Sequence, residues 1–431
     1  MRDLSRRSFL IAVGAAAGAG VLASCSGVAG GGAGTSGTRT LRYAFWGNNV
    51  RQQNYQKAFD VIEGELDLSL KVEFADYDAY QERMTTQMSA GNVADIFWVP
   101  SPHVMTYYAN DLYRPLEGID SIDLSDYSET DLRDFQLAGE LNTMPFGIFV
   151  PVVRYNSTFA GEDGVQLPQD WDWDWLAEFA TDYSKNNPHD RRALSYSPDH
   201  DLSFEGWLRQ HGEQLWTEDG KRGFTQDGLA SWVEWWENLR NAGATTSVSE
   251  QDGVAPSWED VGDRCLMWFG NSNHIVDDST MYPDYEFKLM HQPVARDAQA
   301  GHQYLYFPRM AVYQGADDER AELAGEVIAY CTSNVEMPKT VGLTMGVPPN
   351  PRVAQEYQEL ASPVEQEMLR VTAEARQADR RPRYEAPPGT SAWRSVFTRT
   401  IEEIAVGGTS ISDATAAMIA EIDRGIQRAT S

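Results

Sequence analysis

Cysteine, lysine and long apolar runs are scarce in this chain. Three cysteines occur in 431 residues. None are spaced as CxxC, so a zinc ribbon or a dithiol redox motif is unsupported. No stretch reaches the roughly 18 apolar residues of a membrane-spanning helix. Six lysines stand against 29 arginines, a bias that fits a high-salt habitat or a biased genome equally. Basic charge is short overall: 35 Lys and Arg against 64 Asp and Glu leave a formal charge of −29. Nucleic acid is therefore excluded as a partner, since its phosphates must be neutralised by cations. Anionic membrane surfaces are disfavoured for the same reason. The seven histidines form no HExxH, and the sequence contains neither a GxSxG elbow nor a P-loop lysine. No catalytic residue, metal ligand or cofactor is assigned.

What remains is ample core material, with 42% hydrophobic residues and 16 Phe, 19 Tyr and 13 Trp. The length is about three domains' worth of chain, or two large lobes.

The first 38 residues read as an address and a tether, outside the fold. Ser5-Arg6-Arg7-Ser8-Phe9-Leu10 carries paired arginines, and Ile11 to Leu22 is an apolar run too short to span. Leu22-Ala23-Ser24-Cys25 follows, then a Gly/Ser/Ala/Thr stretch to Thr38. The segment resembles a twin-arginine lipoprotein signal. The resemblance implies export, a lipid on Cys25, and attachment to the outer face of the cell membrane through that lipid only. Cys265 and Cys331 both lie in apolar surroundings and read as buried thiols, with a mutual disulfide as the alternative.

Beyond the tether, hydrophobic periodicity alternates between strand and helix. Leu41–Trp46 reads as a strand and Arg51–Glu63 as a helix, with Tyr55, Ala58, Phe59 and Ile62 on one face. Leu70–Phe74 is a strand, Tyr77–Ser89 a helix, and Ala94–Val99 a third strand closed by Pro100. This is a βαβαβ unit with a parallel sheet, so the fold class is α/β. Ligands bind such sheets outside the carboxyl ends of the strands. Those ends are Trp46-Gly47-Asn48, Asp76-Tyr77 and Ser101. Two acidic stretches, Asp120 to Asp134 and Asp317 to Glu326, read as solvated faces.

The run from Leu41 to Val99 resembles the opening lobe of bacterial extracellular solute-binding proteins, the receptors of ABC importers, in the sugar-binding branch. Further stretches carry the resemblance along the chain in the family's order: Pro145-Phe146-Gly147 to Asn156, Pro168 to Trp175, Gly262 to Gly270, Gly346 to Asn350, and the final helix from Ser412. It implies a two-lobed periplasmic-binding-protein-like fold of type II, joined by a multi-strand hinge. One lobe is expected at 39–148 plus 271–309, the other at 149–270 plus 310–431. It also implies a monomer that docks on ABC permease subunits.

A sugar presents apolar C–H faces that lie on aromatic rings and hydroxyls that need paired donors and acceptors. The candidates for those roles are Trp46, Asn48, Asp76, Tyr77 and Ser101 on the first lobe. To these are added Trp207 on the second lobe, Trp268 and Asn271 flanking the hinge return, Tyr304 in a strand-like run, and Arg383 in a Pro-rich loop. Trp171, Trp173 and Trp175 read as core, with Asp170, Asp172 and Asp174 favouring a helix start. The expected function is capture of a sugar or oligosaccharide in an interlobe cleft by hinge closure. Alternatives are the same fold for a polyamine, glycerol phosphate or peptide, and a secreted carbohydrate-active enzyme.

Overall fold

The computed structural model describes residues 39–247 and 264–431. The signal, the tether, Cys25 and the first two residues of the Gly262–Gly270 stretch lie outside the described residues.

The opening βαβαβ unit is present. Strands β1 (Thr40–Trp46), β2 (Ser69–Ala75) and β3 (Ile96–Val99) are parallel, with β1 in the middle. The β1–β2 register runs from Thr40 opposite Ser69 to Trp46 opposite Ala75. Both faces of this sheet are buried, as a parallel sheet requires. Leu41, Tyr43 and Phe45 pack under the Asn49–Leu66 helix against Tyr55, Phe59 and Ile62. Ala44 and Phe97 pack on the other side against Tyr80 and Met84 of the Tyr77–Ser89 helix. Two short strands complete the sheet, β4 (Met144–Pro145) and, between it and β3, β9 (Arg309–Val312), which runs antiparallel to both.

The second sheet orders β6 (Arg192–Leu194), β7 (Cys265–Asn271), β5 (Pro151–Asn156) and β8 (Phe287–His291). One face carries an indole-rich core of Trp173, Trp207, Trp232 and Trp236 around Phe269. The opposite face packs Val150, Trp268 and Leu289 against Met368 and Val371 of the Pro363–Gln377 helix. Trp171 and Trp173 are buried in the indole-rich core, and Trp175 stacks on Phe179 one helical turn later. Asp172 caps that helix at the Trp175 N–H, so the Trp-Asp series is structural, as its spacing suggested.

Three chain segments cross between the sheets and are bonded to one another. Ile148 and Val347 exchange two backbone hydrogen bonds of 2.7 Å, and Phe149 and Tyr306 exchange two of 3.0 and 3.1 Å. The crossings approach so closely that only glycine fits at two points. A Cβ on Gly147 would lie 1.8 Å from the Met345 carbonyl oxygen, and Gly346 has φ +100° with the Ile148 oxygen 2.5 Å from where its Cβ would stand.

The expected division of the chain is corrected in two places. Residues 287–291 were expected with the first lobe, but β8 pairs with β5 of the second sheet from Val152–His291 to Asn156–Phe287. Residues 310–431 were expected with the second, but Leu323, Ala324 and Val327 of the Asp318–Ser333 helix belong to the core of the first sheet. The chain returns to the first sheet near 306 and leaves it again near 343, so the three expected crossings are present but the last two lie further along the chain than 270 and 309. The acidic stretch near 120–134 is also more than a solvated face. Asp126, Asp131 and Asp134 pair with Arg352, Arg376 and Arg380 at 3.1, 2.6 and 3.1 Å.

Cys265 and Cys331 are buried in different cores and form no disulfide with each other. Burial pushes the Cys331 thiol up to about 12. No helix among the described residues is long and apolar enough to cross a membrane.

Candidate ligand cleft

The carboxyl ends of β1, β2 and β3 form one wall. Trp46 ends β1 half-buried, its ring edge-on to Tyr77 at 5.4 Å and to Trp98 at 5.1 Å. These contacts fix the indole and leave part of it accessible. Asn48 and Asp76 are exposed, and each caps the helix that follows its strand, accepting from the N–H of Arg51 at 2.9 Å and of Ala79 at 3.0 Å. Both candidates therefore already hold a structural post. Burial raises Tyr77 to about 12, against the opposing pull of the Arg394 guanidinium and the Ser101 hydroxyl. Tyr306 and Asp201 also act on it. Tyr77 of this wall thus meets Tyr306 of a crossing and Asp201 and Arg394 of the helices on the second side.

The facing wall is built where β6 and β7 end. The parallel β6–β7 pair puts both carboxyl ends at one edge of the second sheet, and the Asp201–Gln210 helix starts nearby, capped by His200. The His200 ring accepts from the Ser203 N–H at 3.2 Å. Burial lowers this imidazole to about 4, against the opposing pull of the Asp201 carboxylate. Burial also holds His274 well below the ordinary range, helped by Arg154 and Arg51. Asp201 pairs with Arg394 at 2.5 Å.

Beside this lies a buried charged group over the crossing. Arg383 pairs with Glu205 and with Glu385, both at 3.0 Å, and Glu385 is 3.5 Å from Arg309. The Arg383 guanidinium sits 4.9 Å above the Tyr306 ring, which stacks on Phe149 at 4.9 Å. Burial alone would raise Glu385, yet Arg383 and Arg309 hold it below the usual carboxylate range. Arg209 anchors the loops underneath. Fully buried, it donates to the carbonyls of Gly301, His302, Gln303, Arg381 and Pro382.

Three predicted platforms are corrected. Trp207 is buried among Trp173, Trp232 and Trp235, on the helix side of the second sheet. Trp268 alternates to the other face of β7, edge-on to Phe287 at 5.7 Å, and is 1% exposed. Tyr304 is buried with its hydroxyl donated to the Leu202 carbonyl at 2.6 Å. In each case aromatic composition marked a ring, but packing already consumes it.

The groups with capacity to spare are others. Arg51 Nε, Asn271 Oδ1 and Asp277 Oδ2 are shielded from solvent without a hydrogen-bond partner. A buried polar atom left unpaired costs about 1–3 kcal/mol, so such atoms call for a partner. Arg51 lies in the first turn of the Asn49–Leu66 helix. Its side chain folds across Gly47, where an added Cβ would meet its Cδ at 2.6 Å. Its charge reaches Asp277 and His274 of the His274–Met281 helix after β7. Burial raises Asp277, with Arg51 the first group opposing it. Asn271 alone of these was singled out in the sequence. The remaining signals were a Gly-Asn turn followed by Arg51 and an Asp three residues into the helix after the crossing strand. A small cavity between Tyr43, Met310 and Cys331 lies within the first core and includes none of these groups.

Two α/β layers joined by three crossings, with polar side chains at the facing strand ends, define a two-lobed ligand receptor. The chain belongs to the bacterial extracellular solute-binding protein family, whose profile it matches over residues 54–366. Membership implies an exported protein. The fold is similar to an extracellular solute-binding protein family 1 structure from Alicyclobacillus acidocaldarius, at 20% identity over 91% of this chain and 100% of that one, with TM-score 0.69. It is also similar to a periplasmic oligogalacturonide binding protein from Yersinia enterocolitica solved with saturated digalacturonic acid (15% identity, 91% and 100% coverage, TM-score 0.76). A third likeness is to the GacH receptor of Streptomyces glaucescens, solved unliganded and with acarbose (16% identity, 90% and 99% coverage, TM-score 0.73). At these identities the likeness is one of fold.

Proposed function

We propose that this protein is the capture component of an ABC importer and takes a sugar or small oligosaccharide between its lobes. The lobes are residues 39–147 with 307–342, and 148–306 with 343–431. Closure about the three crossings buries the ligand, and the closed form docks on the permease subunits. A lipid on Cys25 tethers the monomer to the outer face of the cell membrane. The reaction is binding alone. Energy for transport comes from a separate ATPase.

Two observations carry this reading, the half-buried Trp46 at the end of β1 and the shielded, unpaired polar atoms on Arg51, Asn271 and Asp277. A sugar ring satisfies both features, with a C–H face for the indole and hydroxyls for the polar atoms. Tyr77 and Ser101 of the first wall and Arg383 near the crossing complete the lining. The solved relatives carrying digalacturonic acid and acarbose support a saccharide ligand. A thermal-shift screen of the purified protein against mono- and oligosaccharides tests it. A saturating ligand at a hundredfold excess over Kd stabilises by about 2.7 kcal/mol, enough to move the melting curve. A saturable shift with one sugar series is expected, and a shift confined to non-sugar solutes would contradict the assignment.

A further inference from the structure

Three ion pairs run from one lobe to the other. Their carboxylates, Asp126, Asp131 and Asp134, lie on a segment whose Tyr127 and Phe135 are buried in the core of the first sheet. Their guanidinium partners follow the third crossing. Arg352 belongs to the Pro351–Gln358 helix, Arg376 to the Pro363–Gln377 helix, and Arg380 to the loop after it. Tyr357, Met368, Val371 and Ala375 of those helices pack in one core with Val150, Trp268 and Leu289 of the second lobe. Each pair therefore has one partner on each lobe, at 3.1, 2.6 and 3.1 Å.

Both sides are positioned for the contact. Asp131 Oδ2 accepts from the Ser128 N–H at 3.1 Å and hydroxyl at 2.7 Å in the capping box of the Glu129–Phe135 helix, while Oδ1 takes Arg376. Asn350 caps the Pro351–Gln358 helix through Oδ1 and donates from Nδ2 to Asp126 at 2.9 Å. Arg352 donates again to the first lobe, to the Ser333 carbonyl at 2.8 Å. Arg380 is steadied by the carbonyls of Ala375 and Arg376 at 2.9 and 2.6 Å. Partners held this way lose less side-chain freedom on pairing than two flexible surface chains do.

The contact is also releasable. Its six charged side chains are 12–47% exposed, so water takes over each charge when a pair parts, and the penalty of a stranded buried charge does not arise. A lobe rotation of a few ångströms at this point carries the pairs beyond hydrogen-bond reach. None of the six side chains belongs to the cleft walls. We propose that Asp126–Arg352, Asp131–Arg376 and Asp134–Arg380 form an ionic lock between the lobes, which holds the lobe arrangement of this structure and sets how readily the lobes move about the crossings. The lock biases the ligand-free equilibrium between lobe arrangements without touching a ligand. The proposal rests on the lobe division and hinge of the receptor reading above, and is independent of what the cleft binds.

Electron-spin distance measurement on the full protein without ligand tests this, with one label on each lobe at the exposed positions Lys57 and Glu234. One dominant separation is expected at about 0.05 M salt. The double variant Arg352→Gln, Arg376→Gln removes two pairs and should shift the ratio of lobe arrangements about tenfold, read as a second separation in the distribution. Salt at about 1 M should shift the wild type in the same direction and the variant much less, because the pairs that salt screens are already gone. Asp126→Asn and Arg352→Gln combined should shift the distribution little further than either alone, since both break one pair. An unchanged distribution in the double variant and at high salt would overturn the lock, and so would full additivity of Asp126→Asn with Arg352→Gln. A lowered melting temperature with unchanged separation would overturn it too, marking the pairs as structural only. The salt series needs no variant, so it decides the matter even where a variant fails to fold. The hinge itself is tested separately by compaction with bound sugar, so failure of the lock and failure of the receptor reading are distinguishable.

Discussion

Arg383 lies over the ring of Tyr306, its guanidinium carbon 4.9 Å from the ring centre. Tyr306 belongs to a crossing segment and Arg383 to the loop before the Trp393–Ala405 helix, so the contact ties the second lobe's C-terminal region to the hinge. The guanidinium is also held between Glu205 and Glu385. Arg383→Met removes the charge, strands Glu205 and leaves Glu385 with Arg309 alone, with an expected loss of about 3–5 kcal/mol. Lysine keeps charge but not the planar stack, so Arg383→Lys should recover only part of it. Chemical denaturation of the three proteins checks the order.

Trp46 and Trp207 should separate binding from stability. Trp207→Ala empties a site in the second core and should cost about 3–5 kcal/mol, with affinity for the bound sugar retained. Trp46→Ala should lower affinity at least tenfold, the loss typical of a central aromatic anchor, with a smaller fall in melting temperature. Equal affinity losses in the two variants would refute the assignment of Trp207 to the core.

The histidines at the cleft should be silent near neutrality. Burial holds His200 near 4 and His274 well below its usual range. The unfolded chain therefore takes up the His200 proton first as pH falls. This residue withdraws stability progressively from about 6.5, its ordinary value, to about 4. Sugar affinity should stay flat from about pH 5.5 to 8, where both rings remain neutral. Imidazole resonances followed by NMR check this, and a His200 titration near 6.5 would refute its burial.

The crossings should tolerate no side chain at Gly147. An added methyl would meet the Met345 carbonyl, and backbone must move to admit it. Gly147→Ala should cost about 1–3 kcal/mol or more. Gly346→Ala adds an unfavourable positive φ to a similar clash. Melting temperatures of both variants give the answer.

Much of the first lobe was legible because its elements obey simple periods. Tyr55, Ala58, Phe59 and Ile62 mark a helix face, and Leu41, Tyr43 and Phe45 alternate in a strand. The second lobe was harder to read. Its strands are short and nonlocal, and nothing local in Phe287–His291 announces pairing with Pro151–Asn156. Among site residues, strand ends led to Trp46, Tyr77 and Ser101, since a parallel sheet fixes where its carboxyl ends lie, while Asn271 came from the resemblance of its segment to the family's. Counting aromatics misled at Trp207, Trp268 and Tyr304, because a ring's type does not tell which face of its element it occupies. Arg51 and Asp277 were missed because an unpaired buried atom is a property of three-dimensional packing.

Solution X-ray scattering of the protein with and without its saturating sugar tests the central claim most directly. The account predicts a smaller radius of gyration with sugar bound, as the two lobes close about the crossings at 146–150, 304–308 and 343–348. An unchanged radius at demonstrated saturation would contradict capture by interlobe closure.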